Sequence, residues 1–351
     1  MQRHIFSSFA RRAALCILGA LACGTALAQD RADKPAELKL SVAQSAAFPL
    51  GKAAERWAQL VNENAAGGFD IKPYPGAVLA GRDPLREFGA LRDGAADLAV
   101  GSALAWSAQL PQFGVYALPW LAPGPRAQEA LAADATVRDG VAARAALAGV
   151  VVLAIAPLGD RTLATVKGAV RIPADLTGLR LRVVANQLVI ETLATLGASP
   201  QSMSFAAAQA AFAGGTLDGQ EAPASTLAAT RIAASGQKFV TRWGAFNDVL
   251  VFAVRRALWD GWTDAQRSLV RAAAMDAARE ARALAREDAA LAELTKQGVT
   301  LVRLTPAQHA ALRAAALSVW TKWSGMIGAE IVQAAEAAVA AAAAPAPAPA
   351  N

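Results

Sequence analysis

The feature that most constrains this chain is the run 149–156, Gly-Val-Val-Val-Leu-Ala-Ile-Ala, which offers almost no polar face. A strand of that kind has to be covered on both sides, and helices packed on both faces of a sheet are the usual solution. The neighbouring pattern agrees. Leu38, Leu40 and Val42 alternate with polar residues as in a strand, while Ala54, Trp57, Leu60 and Val61 recur at helical spacing over 51–64, before Gly67-Gly68. Strands are predicted at 69–75 and 97–103 and helices at 84–91 and 127–148, with Gly159-Asp160 ending the first unit. A second unit is predicted to hold a strand at 178–184, a helix at 187–196, a strand at 201–205, a short helix at 206–212 and a strand-and-turn at 216–223. One long strand, or two in succession, then fill 238–256. Helix over 264–297 would be about 50 Å long. A strand at 299–304 follows, with Thr305 as N-cap and Pro306 in the first turn of helix reaching about residue 340. The Ala-Pro repeat within 341–351 predicts a disordered tail. The fold class is therefore α/β.

Composition narrows the chemistry. The chain has 351 residues, 34 Lys+Arg, 28 Asp+Glu and a 55% hydrophobic content, enough for two cored domains. Beyond the N-terminus no uninterrupted apolar run reaches the ~18 residues of a membrane span. Residues 1–28 read as a secretory signal peptide. Arg3, Arg11 and Arg12 precede an apolar stretch at 13–24, and Ala26-Leu27-Ala28 places cleavage before Gln29. A short membrane anchor is the alternative for this segment, and Arg11-Arg12 leaves Sec or twin-arginine export open. Removing three arginines and no acids takes the formal charge from +6 to +3. Both cysteines, Cys16 and Cys23, leave with the signal, so the mature chain keeps one histidine, His309, and no thiol. Disulfides, thiol catalysis and thiolate metal sites are thereby excluded. A Ser-His-Asp triad would need His309, which falls on a predicted exposed helix turn.

No cofactor is predicted, because Gly67-Gly68 and Gly214-Gly215 match neither dinucleotide nor phosphate-loop spacing. Nucleic acid is disfavoured by the low charge and by interleaving of Arg279, Glu280, Arg282, Arg286 and Glu287 on one helix. Carboxylates such as Asp218 and Glu221 could pair for hydrolysis, but three residues apart around a Gly turn their spacing is unspecific. Arg182 is more informative. Alternation puts Leu179, Leu181 and Val183 on one face of their strand and Arg180 and Arg182 on the other. Arg182 stands toward the carboxyl end, where open α/β sheets bind ligands, and its planar guanidinium suits bidentate capture of a carboxylate. A surface or structural role is the plainer reading of the same residue.

The order of motifs adds to this. Lys39 to Val42, Tyr74-Pro75-Gly76, Leu91-Arg92-Asp93-Gly94-Ala95-Ala96-Asp97-Leu98-Ala99 and Ala117-Leu118-Pro119-Trp120-Leu121 come first. They lead to Gly159-Asp160-Arg161, Gly178-Leu179-Arg180-Leu181-Arg182-Val183, Leu196-Gly197-Ala198-Ser199-Pro200, Met203-Ser204-Phe205 and Leu217-Asp218-Gly219-Gln220-Glu221-Ala222-Pro223. Over residues 37 to 330 the chain resembles the solute-binding subunit of tripartite ATP-independent periplasmic (TRAP) transporters, of the dicarboxylate-binding, DctP type.

The resemblance implies a two-domain periplasmic binding protein with crossing strands and a long helix spanning both domains. Domain I would comprise 37–160 and about 250–285; domain II would comprise 161–249 and about 286–330 with the C-terminal helices. It implies a non-catalytic role: capture of a small organic acid and delivery to the membrane permease subunits. A sensory receptor for an organic acid is the alternative, and a periplasmic hydrolase the next. By the same resemblance Arg182 would bind the ligand carboxylate, Arg161 would assist, and Phe205 would wall the pocket or pack in the core. Gln44, Ser102, Glu221 and Asn247 would face the cleft. Two departures bear on the ligand. Ala222 replaces a common Asn, and Val184-Ala185 replace a frequent Pro-Asn. Arg82 and Ser102 stand where sialic-acid binders carry acids, which argues against that ligand.

Overall fold

The computed structural model describes residues 37–65, 68–203, 205–284 and 287–343, without the side chains of Phe205, Ala206 and Leu284. The signal-peptide segment and residues 344–351 lie outside the described residues. Among the described residues nine strands form one sheet: β1 (Glu37–Val42), β2 (Asp70–Tyr74), β3 (Leu98–Ser102), β4 (Val150–Thr165), β5 (Arg180–Val183), β6 (Ser199–Ser202), β7 (Gly219–Pro223), β8 (Phe239–Arg255) and β9 (Thr300–Arg303). Their order is β2-β1-β3-β8-β4-β7-β5-β6, with β9 also paired to β8.

Parallel strands make up the two ends, β2-β1-β3 and β7-β5-β6. The 16-residue β4 and the 17-residue β8 join them. These two run antiparallel to each other: Val150 to Pro157 pair with Arg255 to Val249, and Leu163 to Thr165 pair with Thr241 to Phe239. One end of β8 also pairs with β3, and the far end of β4 with β7. The expectation that Gly159-Asp160 ends the first unit is therefore corrected. The register shifts between Pro157 and Gly159 and the strand continues. Gly159, at φ 102°, supplies the left-handed residue this irregularity needs, so the strand bends instead of stopping.

Local chemistry explains the other differences. Predicted helix 127–148 is two helices, Pro125–Ala133 and Ala135–Leu147. Asp134 separates them in an extended conformation and caps the second by accepting from the Val137 N–H at 2.9 Å. Predicted helix 306–340 is three, Pro306–Ala315, Leu317–Ile327 and Ala329–Ala343, the last of which takes residues 341–343 out of the predicted tail. Thr305 caps the first as expected, in a reciprocal box with Gln308. The predicted strand at 201–205 lies earlier, at Ser199–Ser202, and Phe205 opens the helix Phe205–Ala213.

Helix is present at Asp264–Leu284 and Glu287–Lys296, on either side of two residues outside the description. The first packs on Pro49–Asn64 and β4, the second on Ala224–Ala229, so this region reaches both ends of the sheet. Trp57 sits fully buried at the first contact, donating its indole N–H to the Val270 carbonyl at 3.1 Å. The core lies on both faces of the sheet, as the apolar central strands require. No single helix among the described residues is long and apolar enough to cross a membrane.

Candidate ligand-binding site

Sheet order decides which predicted residues meet. Strands β3, β8, β4, β7 and β5 are consecutive neighbours, and they carry Ser102, Asp248, Arg161, Glu221 and Arg182 respectively. The row alternates in charge, beginning with a hydroxyl: Ser, Asp, Arg, Glu, Arg.

At its centre Arg161 and Glu221 are 5% and 0% exposed and form a bidentate pair, Nε to Oε1 at 2.6 Å and Nη2 to Oε2 at 2.8 Å. The second side of the fork, Nη1, stands 3.8 Å from Asp248 Oδ2. Burial works against the Arg161 charge, but Glu221 and Asp248 outweigh it and its pKa rises. Asp248 is also buried. Its Oδ2 accepts from the Ser102 hydroxyl at 2.5 Å, and its Oδ1 from the N–H groups of Leu104 at 3.2 Å and Val249 at 2.9 Å. Burial raises the Asp248 pKa, against the pull of Arg161 and these donors. Ser102 is held twice, since its oxygen also caps helix Ala103–Trp106 by accepting from Ala105 N–H at 3.1 Å.

Arg182 closes the row. Leu181 and Val183 are fully buried in the core, while Arg182, 9% exposed, donates from Nε to the Met203 carbonyl at 3.1 Å. Burial and the neighbouring Arg161 charge lower its pKa to about 10, with Glu221 opposing, so it stays cationic at neutral pH. Arg180 is differently placed. It is half exposed and engages Asp218 through Nε at 2.8 Å and Nη2 at 3.1 Å, which holds that carboxyl down near 2.

The remaining predicted residues lie apart from this row. Asn247 is buried, but strand alternation turns it the other way: its amide donates to the Ala122 carbonyl at 2.6 Å and its oxygen accepts from Gln128 at 3.0 Å. Gln128 also donates to Asp160, whose pKa burial lifts to about 7. Gln44 is half-buried in the turn after β1. That turn is pressed onto the next helix so closely that a Cβ on Gly51 would stand 2.6 Å from the Gln44 carbonyl oxygen. The Phe205 side chain lies outside the described residues. Ala222 packs in a core cluster with Ala164, Leu227 and Val240. His309, predicted exposed, is half-buried beside Gly244, and burial lowers its pKa.

Sequence reading missed two residues. Asp248 was passed over for its neighbour Asn247, although a carboxylate inside a long apolar strand is a signal in itself. Asn186 is fully buried just after β5; it caps helix Gln187–Thr195 and its amide donates to Leu104 O at 2.6 Å and Ser107 Oγ at 2.9 Å.

Residues 40–325 match the DctP model, described as bacterial extracellular solute-binding protein, family 7. The chain belongs to this family. Its members are solute-binding components and not enzymes, and their setting is extracytoplasmic. Among solved structures, this family-7 protein is similar to a TRAP periplasmic solute-binding protein from Ralstonia eutropha H16 with bound (S)-2-acetolactate. Identity is 42%, covering 87% of this chain and 99% of that one, with a TM-score of 0.83. A second, from Ochrobactrum anthropi, is 26% identical over 87% of this chain and 95% of its own, with a TM-score of 0.78. The C4-dicarboxylate-binding periplasmic protein DctP of Rhodobacter capsulatus is 26% identical over 93% of this chain and 98% of its own length. The curled α/β sheet of this family-7 protein is thus the one those structures share.

Proposed function

We propose that this protein captures a small organic acid in the periplasm, through the Arg182 guanidinium, and hands it to the membrane permease of a TRAP transporter. The observation that carries the reading is Arg182 itself: a charged, buried arginine at the end of β5, oriented through Nε by Met203 and next to the Arg161–Glu221 pair. A guanidinium in that setting is preorganised for a carboxylate. In this reading Arg161 and Glu221 hold the electrostatics of the pocket in place, Phe205 borders the ligand, and Ser102 approaches it from β3. The halves of the sheet on either side of the β4–β8 crossing are the two lobes, and residues 1–28 are removed after Ala28 on export. The 42% identical relative, with acetolactate bound, supports a compact acid as ligand.

Calorimetric titration with acetolactate and a panel of small carboxylic acids tests the reading. Truncating one partner of a buried charge pair costs about 2–5 kcal/mol, so Arg182→Ala is expected to weaken binding roughly 30- to several-thousand-fold. Arg182→Lys restores a point charge without the fork and recovers part of that loss. Unchanged affinity in folded Arg182→Ala would refute the assignment.

A further inference from the structure

We infer that this site selects acids carrying a single negative charge, and that Asp248 is the residue that turns a second one away. The inference rests on the reading of Arg182 as the carboxylate partner. Its basis is charge balance along the five-strand row. Among the described residues the only buried cations are Arg161 and Arg182, and the row also holds two buried carboxylates, Glu221 and Asp248. Both acids lie on Arg161, Glu221 at 2.6 Å and Asp248 at 3.8 Å. The four charges sum to zero before any ligand arrives.

One ligand carboxylate at Arg182 takes the row to a net charge of minus one, and a dianion takes it to minus two. The other arginines on these five strands are already engaged: Arg180 with Asp218 at 2.8 Å, Arg242 with Glu287 at 3.0 Å and Arg255 with Asp97 at 2.9 Å. Buried charge without a partner is strongly disfavoured. Asp248 sets the sign of the far side of the row. The Ser102 hydroxyl and the Leu104 and Val249 N–H groups all donate to it, and all favour its ionised form.

Distance gives the size of the effect. Neighbouring strands are about 4.8 Å apart, so β8 and β5, three steps apart in the sheet, are about 14 Å apart sideways. The register adds an offset along the strands: Asp248 lies opposite Gly159, while Arg182 is level, through Gln220, with Ala164, roughly 16 Å further on. A four-carbon diacid anchored at Arg182 and reaching toward Asp248 therefore brings its second carboxylate to roughly 16 Å from it. At an effective dielectric of about 20, that repulsion alone weakens binding about 6-fold.

The test is calorimetric titration of the mature protein at pH 7.5 with matched pairs: 2-hydroxybutyrate against malate, and 2-hydroxyvalerate against 2-hydroxyglutarate, with acetolactate as a further monoacid. The monoacid of a pair is expected to bind about 6-fold more tightly, and Asp248→Asn to remove most of that difference. A diacid binding as tightly as its monoacid in the wild type overturns the inference, and so does an unchanged ratio in folded Asp248→Asn. The wild-type ratio decides the matter even if the variant does not fold. Absence of binding by every acid, or Arg182→Ala with full affinity, is a distinguishable result: it removes the organic-acid reading and this inference with it.

Discussion

Glu221→Ala should unfold this protein far more easily than its distance from any surface suggests. The side chain is fully buried, and both of its oxygens are taken by Arg161 at 2.6 and 2.8 Å. Truncation leaves the Arg161 guanidinium, itself 5% exposed, with Asp248 at 3.8 Å as its remaining carboxylate. Breaking a buried pair by removing one partner costs about 3–5 kcal/mol, because the remaining charge keeps its desolvation penalty. For a chain of this size that is a fall in Tm of about 4–8 °C. Urea unfolding of ligand-free protein, followed by tryptophan fluorescence, measures it directly. Glu221→Gln keeps the shape and one acceptor, so its loss should be smaller. Replacing both partners by apolar residues, Arg161→Met with Glu221→Leu, should recover much of the single-site loss, since no charge remains to be buried. A Glu221→Ala protein within about 1 kcal/mol of wild type would refute the reasoning and mean that Arg161 reaches solvent in the ligand-free state.

Two further outcomes follow from buried polar groups. Asn186→Ala removes a helix cap and the amide that donates to Ser107 Oγ and Leu104 O, the carbonyl keeping the Ser107 hydroxyl at 2.7 Å, so a loss of about 1–3 kcal/mol in urea unfolding is expected, and a loss under about 0.5 would contradict it. Glu87 is fully buried, and burial lifts its carboxyl from 4.5 to about 8 against the Ser41 hydroxyl that donates to it. The folded state therefore holds a proton that the unfolded chain releases, so this group's contribution is full below pH 4.5 and is lost as pH rises through about 8. Unfolding titrations from pH 5 to 8 should show Glu87→Gln gaining on wild type by on the order of 3 kcal/mol, whereas a constant difference would rule out a buried neutral acid.

Much of this architecture was already legible in local chemistry. The apolar run at 150–156 required a two-sided sheet, Thr305 and Pro306 marked a helix start that the structure places there, and the motif order pointed to the family that the 40–325 match shows. Arg182 stood out because alternation and strand position are local properties. Breaks were harder to read. Asp134 can cap a helix or sit within one, and Gly159 can end a strand or carry an irregularity through it; only pairing partners decide which. Asn247 and Asp248 show the limit most clearly. Their order in sequence is fixed, yet strand alternation sends one toward Gln128 and the other toward Arg161 and Ser102. The sequence by itself determined the strand and helix periods, the placing of both cysteines within the first 28 residues and the arginine at the end of β5. Only the tertiary structure decided that Ser102, Asp248, Arg161, Glu221 and Arg182 form one row. Sheet order is set by which strands pair across dozens of residues, and each of those residues gains its electrostatic meaning from a neighbour that is remote in the chain.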